Sequence, residues 1–393
     1  MLASQTRDPV FEAAVRDQLD RIETALLQAA QADTPMVREV AQHVIVAGGK
    51  RFRPLLVVLG SHLGPTAVDA DVERAAVVVE LTHVASLYHD DVMDEAAQAD
   101  TPMVREVAQH VIVAGGKRFR PLLVVLGSHL GPTAVDADVE RAAVVVELTH
   151  VASLYHDDVM DEAALRRGAV SANARWGNTV AILVGDLLFA RASDLVADLG
   201  PEFVRLQART FARLVQGQIA ETVGPSPGQD RLHHYLQVVS DKTGSLIATS
   251  ALFGAKLAGA SPVEQQIMAD FGEQIGVVFQ LSDDIIDITS DETGKTPGTD
   301  LREGIPTLPT LLARTSTDPA DARLLTLLDS DLSSDDELAE VLGLLRRHRS
   351  IDEARADVRR RAESARLLLD GLPTGPARSS LEELCDTVVS RTV

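Results

Sequence analysis

The chain has 393 residues, of which 45% are apolar and 24% charged, so it is long enough to bury one large core or two ordinary ones. Its formal net charge of −21 argues against nucleic-acid binding, because neutralising phosphates requires a basic surface. The one cysteine, Cys385, has no internal disulfide partner, no apolar leader opens the sequence and no run of 18 apolar residues occurs, so we expect a cytoplasmic protein without a membrane span.

Apolar residues recur at helical spacing along the chain, and no segment alternates with the period of a strand. The spacing predicts helices at 8–30, 178–198, 202–223 and 229–241, the last leading to Lys242-Thr243-Gly244. Residues 289–306 are polar and rich in glycine, which predicts a loop. Aromatic residues make up 3% while Ala, Leu and Val are abundant, a balance that favours an all-α protein.

Helix starts are indicated by Ser followed three residues later by Glu, the capping-box pattern. Ser261 has this pattern with Glu264 and is followed by Pro262, a residue favoured in the first helical turn. Three further pairs predict helix starts in the C-terminal region: Ser334 with Glu337, Ser350 with Glu353, and Ser379 with Glu382.

Residues 31–97 recur without a single change as residues 98–164. Solenoid repeats drift in sequence and number three or more, so two identical copies indicate a recent tandem duplication or an assembly error. We therefore divide the chain into an N-terminal helix at 1–30, an extra copy at 31–97 and a main domain at 98–393.

Two motifs place paired carboxylates four residues apart, Asp157 with Asp161 and Asp283 with Asp287. On a helix each pair projects from one face, one turn apart. Taken alone, such a motif is more often a solvated acidic patch. Two of them in apolar settings favour a shared cation, because unpaired carboxylates repel each other and are costly to bury. Oxygen ligands suit Mg²⁺, usually bridging to a phosphate.

Basic and polar motifs accompany the aspartates: Gly115-Gly116-Lys117-Arg118-Phe119-Arg120-Pro121, Arg166-Arg167-Gly168, Lys242-Thr243-Gly244 and Phe279-Gln280. The whole set resembles the trans-isoprenyl diphosphate synthases, or polyprenyl synthetases, of the bacterial medium- and long-chain type. This resemblance runs from about residue 98 to the end. It implies an isoprenoid synthase fold, a helical bundle around a central cavity, and head-to-tail (1′-4) condensation of an allylic diphosphate with isopentenyl diphosphate.

The resemblance also implies roles for individual residues. About three Mg²⁺ ions would be bound by four aspartates: Asp157, Asp161, Asp283 and Asp287. Asp158 and Asp284 would act as ligands through water or as supporting partners. The allylic diphosphate would contact Arg166, Lys242 and Lys295. Isopentenyl diphosphate would occupy a metal-free cationic pocket formed by Gly116, Lys117, Arg120, His150 and Arg167. Thr243 and Gln280 would present oxygen dipoles to the allylic cation, and pyrophosphate would accept the proton.

Several of these side chains also have plain structural interpretations. Lys117 and Arg120 are common as charges at helix ends, and a lone His150 is more often a core histidine with a satisfied hydrogen bond. His156 adjoins the aspartates, but hard Mg²⁺ prefers oxygen, so we expect it to support the site rather than bind metal.

Two features depart from the family pattern. Ile305 stands where many relatives carry a lysine. The first copy contains the residues that match the basic turn, the histidine and the aspartates but lacks the two arginines, so it cannot complete a site alone: Gly49, Lys50, Arg53, His83 and Asp90 to Asp94.

Small residues precede the first motif, Ala152 and Ser153, and no aromatic closes the channel near them. We expect a product longer than farnesyl diphosphate, of about six to ten isoprene units and suited to a quinone tail, made by a homodimer that contacts a membrane peripherally to release it. One alternative is a class I terpene cyclase, which has no use for Lys117, Arg120 and Arg167. Another is a non-catalytic subunit, or a chain impaired by its duplication.

Overall fold

The computed structural model describes residues 119–132, 136–166, 169–289 and 297–391. All of them belong to the unit Ala99–Val393, the second of two into which the chain divides. The predicted helix at 8–30 and the extra copy at 31–97 lie outside the described residues.

The described part of the chain is almost entirely helical. Its α-helices, in chain order, are α1 (Phe119–Ser128), α2 (Asp136–Met160), α3 (Ala172–Trp176), α4 (Asn178–Asp198), α5 (Pro201–Val223), α6 (Arg231–Val239), α7 (Ser245–Leu257), α8 (Pro262–Thr289), α9 (Thr299–Arg302), α10 (Leu308–Ala313), α11 (Ala322–Leu328), α12 (Asp335–Leu345), α13 (Arg349–Leu368) and α14 (Pro376–Ser390). A π-helical turn, Ser240–Gly244, joins α6 to α7, and 3₁₀ turns occupy Pro319–Asp321 and Leu369–Gly371.

The prediction of an all-α protein is confirmed, with one small exception. Strands β1 (Leu165–Arg166) and β2 (Ala169–Val170) pair antiparallel directly after α2. A two-residue strand is too short to display an alternating pattern, which is why the sequence did not indicate it.

Two of the predicted helix starts, after Ser261 and after Ser334, are confirmed. Helix α8 begins at Pro262 behind Ser261, whose backbone N–H donates to Glu264 Oε2 at 2.7 Å while the Glu264 N–H donates to Ser261 Oγ at 3.3 Å. Helix α12 begins after Ser334, as expected.

Two predicted helix starts in the C-terminal region are wrong. Ser350 lies inside α13, because His348 caps that helix through an Nδ1 atom that accepts from the Ser350 N–H at 3.1 Å. Ser379 lies inside α14, which begins earlier at Pro376, and proline's fixed φ favours a first-turn position. The predicted loop at 289–306 is also only partly right, since it contains α9.

Helix α8 lies at the centre of the described bundle and packs against α7, α13 and the π turn. One stripe of the helix is fully buried, with apolar side chains spaced three or four residues apart: Met268, Phe271, Ile275, Val278, Leu281 and Ile285. Each such side chain contributes about 1.5–3 kcal/mol of burial free energy. The stripe fixes the rotation of α8 and therefore the direction of the aspartates at its end.

No helix in the described ranges combines the length and the low charge needed to cross a bilayer.

Candidate active site

The first aspartate motif occupies the last turn of α2, with Asp161 just beyond the end of the helix. Burial raises the pKa of Asp157 to about 6, against the opposing charge of Lys242, and the neighbouring Asp161 carboxylate raises it further. Burial also raises the pKa of Asp161. Burial is thus the main cause of both raised pKa values, and the charge of Asp161 acts on Asp157.

Asp158, the middle carboxylate of this motif, points into the protein and is fully buried. Arg166 on β1 donates to Asp158 Oδ1 from both Nε and Nη2, each at 2.5 Å. The short hairpin therefore folds back so that its arginine braces the end of α2. Asp158 thus fixes the guanidinium of Arg166 against the end of α2.

Lys242 lies on the π turn. Among the charges that act on the pKa values of Asp157 and Asp161, that of Lys242 has the largest effect. Its Nζ donates to Glu221 Oε2 on α5 at 2.5 Å. Burial opposes its charged form, but the carboxylates of Glu221, Asp157 and Asp161 outweigh that effect and raise the pKa of Lys242. The sequence predicted a helix that ends at residue 241 and leads to Lys242; in the structure Ser240–Gly244 is a π turn in a continuous helical path, which moves Lys242 out of ordinary α-helical register.

The second motif lies in the last three turns of α8. Asp284 is buried and accepts from Tyr235 Oη, from Gln280 Nε2 at 3.1 Å and from the Leu308 N–H at 3.3 Å. Burial nevertheless raises the pKa of Asp284 to about 6. Asp284 thus holds α8, α6 and the start of α10 together.

Asp283 and Asp287 lie one turn apart on α8 and are the residues of this helix that the sequence predicts to bind metal. Arg391, after the end of α14, donates to Asp283 Oδ1, and its guanidinium lies 4.9 Å from the centroid of the Phe279 ring. The region after the last helix therefore supplies a cation to the second motif.

Glu303, after α9, links the two motifs. Burial raises the pKa of Glu303, and the negative charges of Asp161 and Asp287 add to the effect. The charges of Asp161, after α2, and Asp287, in α8, therefore both act on the Glu303 carboxylate, which indicates that the ends of α2 and α8 lie near the same side chain.

Thr243 and Gln280, the predicted oxygen dipoles, are in contact. Thr243 Oγ1 donates to Gln280 Oε1 at 3.3 Å, while Gln280 Nε2 donates to Asp284. The buried Asp284 therefore orients the amide of Gln280, and the amide oxygen is the end that points toward Thr243.

The carboxylate cluster fits a hard divalent cation by its chemistry, since its donors are oxygens and burial raises their pKa values. Among the described residues, no group of three or more acidic, histidine or cysteine side chains is placed so that it could hold a metal ion by itself. A bound phosphate group would have to supply further ligands, which is the usual arrangement for Mg²⁺.

Of the residues expected to bind the second diphosphate, the structure describes two. Arg120 lies in the first turn of α1, and His150 lies on α2, two turns before Asp157; α1 and α2 pack together. Four other predicted site residues lie outside the described ranges: Gly116, Lys117, Arg167 and Lys295.

Several residues of the site carried no recognised signal in the sequence. Tyr235, Glu221, Glu303 and Arg391 lack a motif, and each reaches its partner across a long stretch of chain. His156 had been expected to support the site, and its Nε2 lies 3.3 Å from Asp186 Oδ1 on α4. The residues around His156 in the sequence give no indication that Asp186 is its partner.

A helical bundle in which two aspartate-rich helix ends face one another across basic side chains defines the class of isoprenoid diphosphate-metabolising proteins. The polyprenyl synthetase family model matches residues 34–98 and 101–345, most of the chain and both copies of the repeat. The chain belongs to this family.

The nonaprenyl diphosphate synthase of Mycobacterium tuberculosis is 47% identical over 341 residues, covering 86% of this chain and 98% of the relative. The octaprenyl diphosphate synthase of Escherichia coli is 31% identical over 300 residues, covering 76% of this chain and 93% of the relative. A crystal structure of geranylgeranyl pyrophosphate synthase from Corynebacterium glutamicum, complexed with calcium and isoprenyl diphosphate, aligns with a TM-score of 0.66 and 41% identity over 80% of this chain and 97% of that one.

The expected isoprenoid synthase fold and reaction class are confirmed. The chain is a polyprenyl diphosphate synthase, an enzyme that transfers a prenyl group to isopentenyl diphosphate. The comparisons do not favour a terpene cyclase or a non-catalytic subunit.

Proposed function

We propose that this synthase uses Mg²⁺, held by Asp157 and Asp161 on α2 and by Asp283 and Asp287 on α8, with about three ions per site. The proposal is supported by the two carboxylate pairs at the ends of α2 and α8, from each of which one aspartate raises the pKa of Glu303. The calcium in the Corynebacterium glutamicum structure supports a divalent cation at such a site. When bound, Mg²⁺ would neutralise charge that develops on the departing pyrophosphate. Asp158 and Asp284 serve as supporting partners through Arg166, Tyr235 and Gln280.

The cationic side chains act on the two diphosphates. Lys242 and Arg166, together with Lys295, hold the allylic diphosphate and stabilise pyrophosphate as the carbon–oxygen bond breaks. Arg120 and His150, together with Gly116, Lys117 and Arg167, receive isopentenyl diphosphate. Thr243 and Gln280 present hydroxyl and amide dipoles to the allylic cation, which stabilises it without offering a strong base. Pyrophosphate takes the proton released when the new double bond forms.

The product is proposed to be a trans-polyprenyl diphosphate of about six to ten isoprene units, suited to a quinone tail. Ser153 lies one turn before Asp157 on the same face of α2, and its hydroxyl donates a hydrogen bond to the backbone carbonyl oxygen of His150 at 2.8 Å. The names of the nonaprenyl and octaprenyl relatives support this length range.

A homodimer is proposed to form through α4 and α5. These helices pack on each other and leave four large aliphatic side chains 37–40% exposed: Leu183, Leu187, Val204 and Val215. Contiguous exposed apolar surface marks interfaces, and these side chains are the reason for proposing the dimer contact on α4 and α5. Glutamate at both Leu183 and Leu187 is expected to halve the mass measured by light scattering. The enzyme would act in the cytoplasm and touch a membrane peripherally when it releases its product.

Residues 31–97 are proposed to be dispensable, since the main domain at 98–393 contains both motifs and the two arginines. The test compares the full chain with a chain lacking residues 31–97, each supplied with Mg²⁺, an allylic diphosphate and isopentenyl diphosphate, with products identified by mass spectrometry. We expect the same long products from both, with the shorter chain at least as fast. Products no longer than C20 would reject the proposed length. Equal product formation without isopentenyl diphosphate would instead indicate a cyclase.

A further inference from the structure

Arg213 on α5 makes a set of hydrogen bonds around the π turn that the reaction described above does not use. Its Nε donates to Asp241, its Nη2 donates to Ser240 Oγ at 2.8 Å, and its Nη1 and Nη2 donate to Glu273 at 2.9 and 2.6 Å. Ser240 Oγ in turn donates to Glu273 Oε1 at 2.6 Å. Every nitrogen of the guanidinium is therefore engaged, and three elements meet at one side chain.

The π turn has two sides with different partners. Ser240 and Asp241 face Arg213, which lines a surface groove of about 240 Å³ together with Glu273. Lys242 and Thr243 instead face Glu221, the aspartates and Gln280. Arg213 thus touches the turn from outside the carboxylate cluster.

The backbone of a π turn has a reason to need such support. A π turn contains one more residue than an α-helical turn and is rare outside functional sites, because its hydrogen-bond geometry is less favourable. Here the first two residues of the turn are tied by side chain to α5 and α8, and Ser245 Oγ closes the far end by donating to the Asp241 carbonyl oxygen at 2.6 Å. These bonds fix the position from which Lys242 projects.

We propose that Arg213 is a positioning residue for the reaction: it locks the π turn so that Lys242 is held at the allylic diphosphate. The inference rests on the proposed role of Lys242. Lysine at position 213 cannot replace arginine, since one ammonium group lacks the planar fork that binds Glu273 with two parallel bonds while reaching Asp241 and Ser240.

The test is a double-mutant cycle between Arg213→Met and Lys242→Ala, with kcat and KM measured separately for both substrates. We expect Arg213→Met to lower kcat/KM for the allylic diphosphate by about 10- to 100-fold, the range associated with misplacing a binding group by about 1 Å. KM for isopentenyl diphosphate should stay unchanged. In the Lys242→Ala background the same substitution should cost less than about 3-fold, because residues that act as a unit are not additive.

A matched control is Arg323→Met. Arg323 forms a bidentate pair with Glu340 at 2.9 and 2.6 Å between α11 and α12, two helices that carry no residue assigned to the site, so its loss should leave kcat and both KM values unchanged. Glu273→Gln gives a milder disruption of the same network and should reproduce the selective effect if Arg213→Met folds poorly.

The outcomes separate the inference from the function on which it rests. A full loss from Arg213→Met in the Lys242→Ala background, or an equal rise in both KM values, would overturn the positioning role and leave the role of Lys242 intact. Wild-type kinetics for Lys242→Ala would overturn the proposed role of Lys242 itself, and the positioning role with it.

Discussion

Gly217 offers a direct test of how closely α5 must approach the π turn. A Cβ atom at this position would lie 2.6 Å from the Lys242 backbone nitrogen and 3.0 Å from the Asp241 carbonyl carbon. Both neighbours are backbone atoms, so no side chain can rotate away to make room. Gly217→Ala therefore requires either α5 or the π turn to move.

The required displacement follows from the contact distance. Ordinary van der Waals contact begins at 3.4 Å, so the nearest pair must separate by 3.4 − 2.6 = 0.8 Å. Overpacking of this kind costs about 1–3 kcal/mol. Replacing glycine by alanine within a helix returns about 1 kcal/mol, so we expect a net loss of up to about 2 kcal/mol. Because the moving segment carries Lys242, we expect kcat to fall by about 10- to 100-fold, far more than the loss of stability would cause.

The assay measures kcat by product formation and the unfolding midpoint by calorimetry on the same samples. Gly343→Ala is the matched control, since this glycine also lies within a helix, α12, and apart from its own helix backbone the nearest described atom to its added Cβ would be Arg347 Nη2 at 3.9 Å. The control should keep wild-type kcat and gain up to about 1 kcal/mol in stability. Wild-type kcat for Gly217→Ala, with its stability unchanged, would refute the reasoning about close approach.

Three further predictions concern the site and its support. Asp157→Ala should abolish elongation while Asp90→Ala leaves the rate largely unchanged, as measured by isopentenyl diphosphate incorporation; the reverse pattern would mean that the first copy fills the catalytic place. Ser153→Phe should shorten the products by one or more isoprene units in mass spectra, because the ring would occupy the path one turn below Asp157, and an unaltered product distribution would contradict that placement. Hydrogen bonds from Arg213 lower the pKa of Glu273 below its ordinary 4.5, so the stabilising effect of its charge is present above that value and is lost as the pH falls through the lowered pKa. The difference in unfolding midpoint between wild type and Glu273→Gln should therefore shrink between about pH 7 and about pH 4, and a constant difference would count against the ion pair.

Local sequence chemistry predicted most of the helices well. The bounds of α4 match their prediction, α5 begins one residue before its predicted start, and the Ser261 capping box is formed as expected. The capping-box pattern gave the wrong helix start where a residue earlier in the chain began the helix. His348 caps α13 in place of Ser350, and Pro376 starts α14 before Ser379, although both serines carry the capping-box spacing.

The candidate site was likewise predicted from the sequence only in part. Four-residue spacing predicted that Asp157 and Asp161 lie one helical turn apart, because helical geometry alone determines it. Asp161 lies just beyond the end of α2, but its N–H still donates to the Asp157 carbonyl oxygen at 2.8 Å. Spacing carried no information on Asp158, which resembles its neighbours in sequence yet points into the protein toward Arg166. Only the fold back of the β1–β2 hairpin distinguishes the supporting aspartate from the two that face the cluster.

What the sequence by itself determined is the family and the candidate site residues: two carboxylate pairs with four-residue spacing, and the basic motifs that mark the family. Tertiary structure decided how those groups are held. Tyr235 meets Asp284, Glu221 meets Lys242, and Arg213 joins the π turn to Glu273, in each case across many intervening residues. The physical reason is that helix faces follow from a period of 3.6 residues, whereas a hydrogen bond between distant elements depends on the packing of the whole bundle.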